Sequence, residues 1–419
     1  MTPKRLSRSQ PRAKAALPVE IVATTLPPLG MSPAQFLRDY WQKRPLLIRG
    51  AFPEYTAAGF VPPITPEDLA GLACEDTALS RLVRFARDTD AWSVQHGPFA
   101  EDVFPALPDH DWTLLVQDVD KWDADVNALL SHFDFLPRWR IDDVMVSFAA
   151  PGGSVGAHVD QYDVFLLQAQ GRREWRIDAR ASGGDHAFRD DTELKLLRDF
   201  APTHAWTLEP GDMLYLPPGI AHHGIAVDAC LTFSIGMRAP AAAELLGDYV
   251  DTLTADMDER LRYADPDLAS AGDPGEIDAA ALTRVSQALG ALHLRDPDFV
   301  GDWFGRFITT YRSAAQVHAP PAPPSRIELE WALSNGAALA RNPWSRSAWR
   351  RAARGARLYV AGESYPMPVA DARRLAALPA IDGRTYAVLS PAGRDAVYAL
   401  TIGGHLALFD DEDPAAEVE

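Results

Sequence analysis

The sequence predicts an α+β protein built around a double-stranded β-helix, the jelly-roll or cupin-like barrel. From residue 137 the apolar pattern switches to period two, through WRIDDVMVSFAA, HVDQYDVFLLQAQ, REWRI, AWTLEP, DMLYLP and LTFSIGM. Such alternation marks strands with one buried face. Turns at Pro151-Gly152-Gly153, Pro210-Gly211 and Pro217-Pro218-Gly219 separate these stretches. After Ala239-Pro240 the apolar spacing becomes helical.

Residues 1–22, rich in Pro, Ser and Arg, read as a disordered basic tail. Ser32 is an expected N-cap with Pro33 in the first turn, placing Phe36 and Tyr40 on one helical face. KRPLLIRGAF (43–52) reads as a short strand, and residues 66–74 and 119–134 as helices. The barrel domain is expected over 23–240 and a helical segment over 241–317, with apolar stripes in 241–261, 278–294 and 298–313. HAPPAPPSR (318–326) is a proline-rich linker. Residues 327–419 form a further small domain, in which ARLYVAGESYPMPV, TYAVLSPAG and AVYALTIGGHLALF read as strands around the helix VADARRLAAL.

The chain of 419 residues, 47% apolar and 23% charged, has the balance of a globular protein of two or three domains. No apolar run approaches the roughly 18–20 residues that span a bilayer, which argues against a membrane partner. The N-terminus lacks the apolar stretch of an export signal. Cys74 and Cys230 read as free thiols of a cytoplasmic protein. Net charge is −18, although Lys4, Arg5, Arg8, Arg12 and Lys14 precede any acid. An acidic body argues against binding a phosphate backbone, DNA included, and favours a basic partner.

His158 and Asp160 form a His-x-Asp pair, and period two directs both to one face of an extended strand. Gly211, Pro217, Gly219 and His222 fit G-x5-P-x-G-x2-H, a spacing that turns a second histidine back into a barrel mouth. Two imidazoles and one carboxylate on one side of a metal suit Fe(II) and leave three positions open. His223 faces the other way, His186 lies in the polar loop GGDHAF, and His204 precedes the strand AWTLEP without a paired acid. The ligand set alone also admits zinc hydrolysis.

Arg173 separates these readings. The register that buries Trp175 and Ile177 also buries Arg173, leaving Arg172, Glu174 and Arg176 to solvent. A buried guanidinium calls for a carboxylate, either a structural Asp or Glu or the far end of 2-oxoglutarate chelated at the metal. By the same parity Asp143, Met145 and Ser147 share a face, as do Thr232 and Ser234. Ser147 and Thr232 offer hydroxyls to the oxoacid. Asp143, Tyr162 and Ser234 offer a polar recess, in which Asp143 either grips a cationic substrate side chain such as arginine or pairs within the core.

Here the chain resembles the JmjC-type ribosomal oxygenases, and among them the bacterial enzymes that hydroxylate an arginine of a large-subunit ribosomal protein. RIDDVMVSF, PGGSVGAHVDQYDVFLLQAQGRREWRI, LEPGDMLYLPPGIAHHG and SIGMRAP carry the resemblance. It implies a JmjC barrel, a helical dimerisation segment and a C-terminal winged helix. It also implies His158, Asp160 and His222 as Fe(II) ligands and catalytic centre, Arg173 for 2-oxoglutarate, and Asp143, Met145, Tyr162 and Ser234 for the substrate arginine. Thr232 stands where relatives are expected to have Asn. The implied reaction consumes O2 and 2-oxoglutarate, releases succinate and CO2, and hydroxylates the arginine β-carbon; the implied enzyme is a cytoplasmic homodimer. Competing readings are a histidyl hydroxylase or JmjC demethylase of another basic protein, and a non-catalytic metal-bound cupin.

Overall fold

The computed structural model describes residues 17–409 apart from Ala58, 181–185, most of 256–276, 291–296 and 312–315. Residues 1–16 of the expected basic tail, much of the first helical stretch beyond 255 and the acidic residues 410–419 lie outside the described residues, whereas Glu20–Val22, at the end of that expected tail, form a strand that pairs with Leu47–Arg49. The chain divides into two compact units, residues 1–239 and 240–419.

In the first unit thirteen strands are described: β1 (Glu20–Val22), β2 (Leu46–Arg49), β3 (Ser80–Ala86), β4 (Ala91–His96), β5 (Trp112–Val116), β6 (Ile141–Ala149), β7 (His158–Val159), β8 (Val164–Gln170), β9 (Arg173–Asp178), β10 (His204–Leu208), β11 (Met213–Leu216), β12 (Ala221–Ala226) and β13 (Cys230–Met237). Nine form one sheet in the order β1-β2-β11-β8-β13-β6-β5-β3-β4, and four form a second in the order β10-β9-β12-β7. Strands β3, β4 and β5 lie outside the stretches in which the sequence pattern predicts strands.

Both faces of the large sheet are covered, which explains why β8 and β13 read as nearly continuous apolar runs. From β8, Phe165 and Leu167 join one core with Phe233 and Ile235 of β13 and with Phe36, Leu69, Val126 and Phe133 of the helical layer. Val164 and Leu166 point the other way, into a second core with Trp175, Ile177, Leu208 and Leu214. Each large side chain so buried contributes roughly 1.5–3 kcal/mol.

The helical layer begins as the sequence predicts. In α1 (Pro33–Asp39), Ser32 accepts from the Gln35 amide and Pro33 occupies the first turn. In α2 (Pro66–Leu72), Thr65 and Asp68 form a capping box. The single helix expected over 119–134 is instead α3 (Val119–Trp122), α4 (Ala124–Ala128) and a 3-10 turn from Leu129 to Phe133. Asp123 is extended, and its carboxylate accepts from the Val126 amide at 2.7 Å, ending one helix and starting the next.

The second unit holds α5 (Ala242–Ala255), α6 (Ala279–Gly290), α7 (Pro297–Thr309), α8 (Arg326–Ser334), β14 (Ala338–Arg341), β15 (Ser347–Arg351), β16 (Ala356–Val360), β17 (Glu363–Met367), α9 (Val369–Ala377), β18 (Ala380–Asp382), α10 (Gly383–Ala387), α11 (Pro391–Ile402) and β19 (Leu406–Phe409). Its sheets are β18-β14-β19 and β15-β16-β17. TYAVLSPAG is not a strand but holds the end of α10 and the start of α11, and AVYALTIGGHLALF divides, AVYALTI completing α11 while Leu406–Phe409 form the expected strand β19. Ser390 caps α11 through the Gly393 amide with Pro391 in the first turn, and Ala396, Val397, Leu400 and Thr401 are buried at helical spacing. Their Val, Tyr and Thr suit strands locally, but capping and the buried stripe decide the outcome.

Gly224 has a packing role in the barrel. A β-carbon there would stand 2.7 Å from the Trp175 ring. Gly224→Ala should lower stability by about 1–3 kcal/mol through overpacking, read as an earlier thermal unfolding midpoint; an unchanged midpoint would show that the ring relocates freely.

Candidate functional site

The metal-type cluster lies where β7 meets β12. His222 is opposite His158 on one side and Ile177 of β9 on the other. The His222 and His158 Nε2 atoms lie 3.6 and 3.9 Å from Asp160 Oδ2. Their ring centroids are 4.2 Å apart. One ligand atom from each of the three residues lies within 4.8 Å of the others, and among the described residues this is the group whose His and carboxylate atoms could hold a metal ion. Each imidazole is oriented through its other nitrogen, His158 Nδ1 to the Gly156 carbonyl at 3.0 Å and His222 Nδ1 to the Ile220 carbonyl at 2.9 Å. Nδ1–H donation to these carbonyls leaves both Nε2 lone pairs for a cation. Burial, reinforced by His158, pushes the His222 pKa down to about 4, so its imidazole is neutral at ordinary pH.

Strand β9 alternates as the sequence reading requires, with Arg173, Trp175 and Ile177 buried between partly exposed neighbours. Arg173 is 6% exposed. One of its nitrogens, Nη1, lies 3.5 Å from Ser147 Oγ, while Nε and Nη2 are buried without a hydrogen-bond partner. Among the described residues no carboxylate pairs with it, so a structural ion pair does not account for this guanidinium. Desolvating a cation in this way costs several kcal/mol unless a partner arrives.

The remaining predicted residues share the interior face. In the β6–β13 register Ser147 pairs with Thr232, Met145 with Ser234 and Asp143 with Gly236. Asp143 is 8% exposed, and its carboxylate accepts from the Asp118 amide at 3.3 Å. A β-carbon at position 236 would stand 3.2 Å from Asp143 Oδ1, so glycine keeps room for that carboxylate. Tyr162 is partly exposed at the mouth. Its phenol pKa is raised above the usual value first by burial of the hydroxyl, then by the charges of Asp160 and Asp143. Thr232 donates its hydroxyl to Gln168 Oε1 at 3.1 Å, committing the proton that the sequence reading offers to the oxoacid.

Two interior groups escape the sequence reading. Trp175 lies with its ring 5.8 Å from that of His222 and 5.8 Å from the Arg173 guanidinium, and its buried Nε1 has no hydrogen-bond partner. Thr113 is opposite Ala149, and its buried hydroxyl is equally unsatisfied. Parity marks Trp175 as inward but not as a donor awaiting a partner, and Thr113 lies on a strand the pattern does not reveal. The other histidines stand apart from the cluster. His223 Nε2 lies 3.0 Å from Ser154 Oγ, His204 stacks on Trp206, and the His186 ring is 6.3 Å from that of Phe188.

Replacing His158, Asp160 or His222 by Ala should abolish stoichiometric binding of a divalent transition metal, followed by calorimetry with Co2+. Retention of full affinity by Asp160→Ala would remove that carboxylate from the ligand set.

Residues 128–245 match the JmjC domain family, and residues 292–407 match the ROXA-like winged helix. The chain is 38% identical over 307 residues to the ribosomal protein uL16 3-hydroxylase of Escherichia coli (strain K12), covering 73% of this chain and 79% of that protein. It is 40% identical over 220 residues to a probable ribosomal oxygenase of Haemophilus influenzae, 52% of each chain. The X-ray structure of E. coli YcfD superposes with a TM-score of 0.80 at 33% identity, covering 90% of this chain and 98% of that one. The structure of YcfD, a ribosomal oxygenase from E. coli, in complex with cobalt and 2-oxoglutarate superposes with a TM-score of 0.76 at 32% identity over the same shares. A jelly-roll barrel with a two-histidine, one-aspartate cluster, matched at this identity along most of an established hydroxylase, shows that the chain belongs to the JmjC-type ribosomal oxygenase family.

Proposed function

We propose that this chain is an Fe(II)- and 2-oxoglutarate-dependent oxygenase that hydroxylates an arginine β-carbon in a large-subunit ribosomal protein. The observation that carries this reading is the buried Arg173 guanidinium, unsatisfied at two nitrogens in the barrel that holds the His158, Asp160 and His222 cluster. The donor set suits Fe(II), with three positions left over. When bound, iron with 2-oxoglutarate and O2 supplies the oxidation that converts a C–H bond to C–OH, the oxoacid becoming succinate and CO2.

The chain's own residues bind and orient. Arg173 takes the far carboxylate of the oxoacid through its free donors, and the Ser147 hydroxyl, beside Nη1, has its own proton to donate. Thr232, bonded to Gln168, shapes the wall. Asp143 holds the substrate guanidinium by charge-assisted hydrogen bonds, with Met145, Tyr162 and Ser234 around the aliphatic stem, so that a carbon rather than the head group faces the cluster.

A ribosomal-protein substrate supports a cytoplasmic location for the reaction. None of the helices in the described residues is long and apolar enough to cross a membrane. We also assign residues 23–240 to the catalytic domain, 241–317 to dimerisation, and 327–419, beyond a linker at 318–326, to the winged helix. The dimer assignment is supported by α5, none of whose residues is buried, and by exposed Leu246, Val250, Leu282 and Val285 on α5 and α6. Light scattering should give twice the chain mass, and a monomer would overturn this part.

Incubation with Fe(II), 2-oxoglutarate and the recombinant ribosomal protein should release succinate and add one oxygen to the intact protein mass. Arg173→Ala should weaken 2-oxoglutarate by about a hundredfold, as expected for removing one partner of a buried charge pair. A mass loss of one methyl group would favour a demethylase, and no succinate from the metal-loaded protein would favour a binding module. Asp143→Ala should raise KM for the protein substrate by about thirtyfold and leave that for 2-oxoglutarate unchanged; equal losses would remove Asp143 from the recess.

A further inference from the structure

Charge is distributed unevenly along this acidic chain. Residues 326–409 carry eleven arginines against six carboxylates, and 331–362 carry six arginines and no acid. Four of those six are engaged within the second unit. Arg341 bonds the Leu378 carbonyl, and Arg346 lies over the Tyr311 ring at 4.0 Å. Arg350 meets Asp298 at 3.2 Å, and Arg357 meets Asp302 at 3.5 Å. These last two arginines face each other across β15 and β16, an arrangement that the acids of α7 offset.

The remaining two behave differently. Arg351 ends β15 and Arg354 sits in the turn before β16, both exposed. Arg373, exposed on α9, joins them. The Arg351 and Arg373 guanidinium carbons lie 6.0 and 5.8 Å from the ring centroid of Trp349, which packs half-buried against the core of this unit. Among the described residues none of the three forms an ion pair. The acid on α9, Asp371, is buried and bonded to Ser390. Two uncompensated guanidinium groups beside an indole, with a third exposed in the adjoining turn, form a local cationic surface on a protein of net charge −18.

We propose that this hairpin-and-helix face, formed by Arg351, Arg354, Arg373 and Trp349, is an RNA-docking surface. Guanidinium groups bind phosphate oxygens through paired N–H donors, and the adjoining indole supplies a stacking surface for a base. The choice of RNA among polyanions rests on the proposed ribosomal-protein substrate, which occurs beside RNA; the cationic patch itself does not.

The test is fluorescence anisotropy of the full chain with a labelled RNA hairpin across a salt series. Wild type should bind with an affinity that falls steeply with salt. The triple variant Arg351→Gln, Arg354→Gln, Arg373→Gln should bind at least about tenfold more weakly and reduce the log–log salt slope by about 2–3, the value for three lost phosphate contacts. Its unfolding midpoint should match wild type, which shows that the loss is not unfolding. Undiminished RNA binding by the triple variant, or none by wild type, would overturn the proposal. Equal affinity for duplex DNA would overturn RNA as the occupant. Displacement of RNA by a peptide of residues 410–419 at equimolar concentration would assign the face to the chain's own acidic end instead. No turnover is measured, so this outcome is independent of whether the hydroxylase reading holds.

Discussion

The pairing of β12 with β7 on one side and β9 on the other is the constraint on which the site depends. It sets His222 against His158 and, two residues on in each strand, Gly224 against Trp175 and Ala226 against Arg173. Because side chains alternate strictly along a strand, a slip of one residue would turn both the imidazole and the guanidinium out of the barrel. The small residues at 224 and 226 belong to the same constraint, since the indole and the arginine fill the space opposite them. Metal-type cluster and cationic pocket are thus two consequences of one register.

That register holds the interior in an unsatisfied state. Arg173, Trp175 and Thr113 all present buried polar groups without partners. In a structure made only for stability such groups would be paired or replaced by apolar ones, since each costs about 1–3 kcal/mol and a cation more. On the inward face of β9 the unpartnered Arg173 and Trp175 donors are the thermodynamic counterpart of a polar occupant, and an anion with hydrogen-bond acceptors is the partner that Arg173 lacks. The helix-covered apolar core on the opposite face of the large sheet supplies the stability that this interior lacks.

Much of the site is legible along the chain because its signals are local. The His-x-Asp pair, the Pro-Gly turn before His222 and the alternation through GRREWRI each lie within a few residues, and strand parity carries Asp143, Ser147 and Ser234 to the shared face. The reading falters where partners are distant. Strands β3, β4 and β5 are a different case: they pair chiefly with one another, but β4 is an edge strand with no buried residue and β5 is buried at four consecutive positions, so neither shows a buried-and-exposed alternation to read. The helix α11 carries strand-forming residues whose fate is settled by a cap and by the core they meet. Asp123 breaks a helix that periodicity alone would continue.

The amino-acid sequence by itself determined the ligand types, the inward parity of Arg173 and the change from barrel to helical unit, because these depend on residue chemistry and on periods of 2.0 and 3.6 residues. Only the tertiary structure decided that no carboxylate of the described residues meets Arg173, that Thr232 commits its proton to Gln168, and that Arg351, Arg354 and Arg373 remain uncompensated while their neighbours find acids. The physical reason is that satisfaction of a polar group is a property of its surroundings in space. A chain specifies which groups it carries, and the fold specifies which of them are left waiting for a ligand.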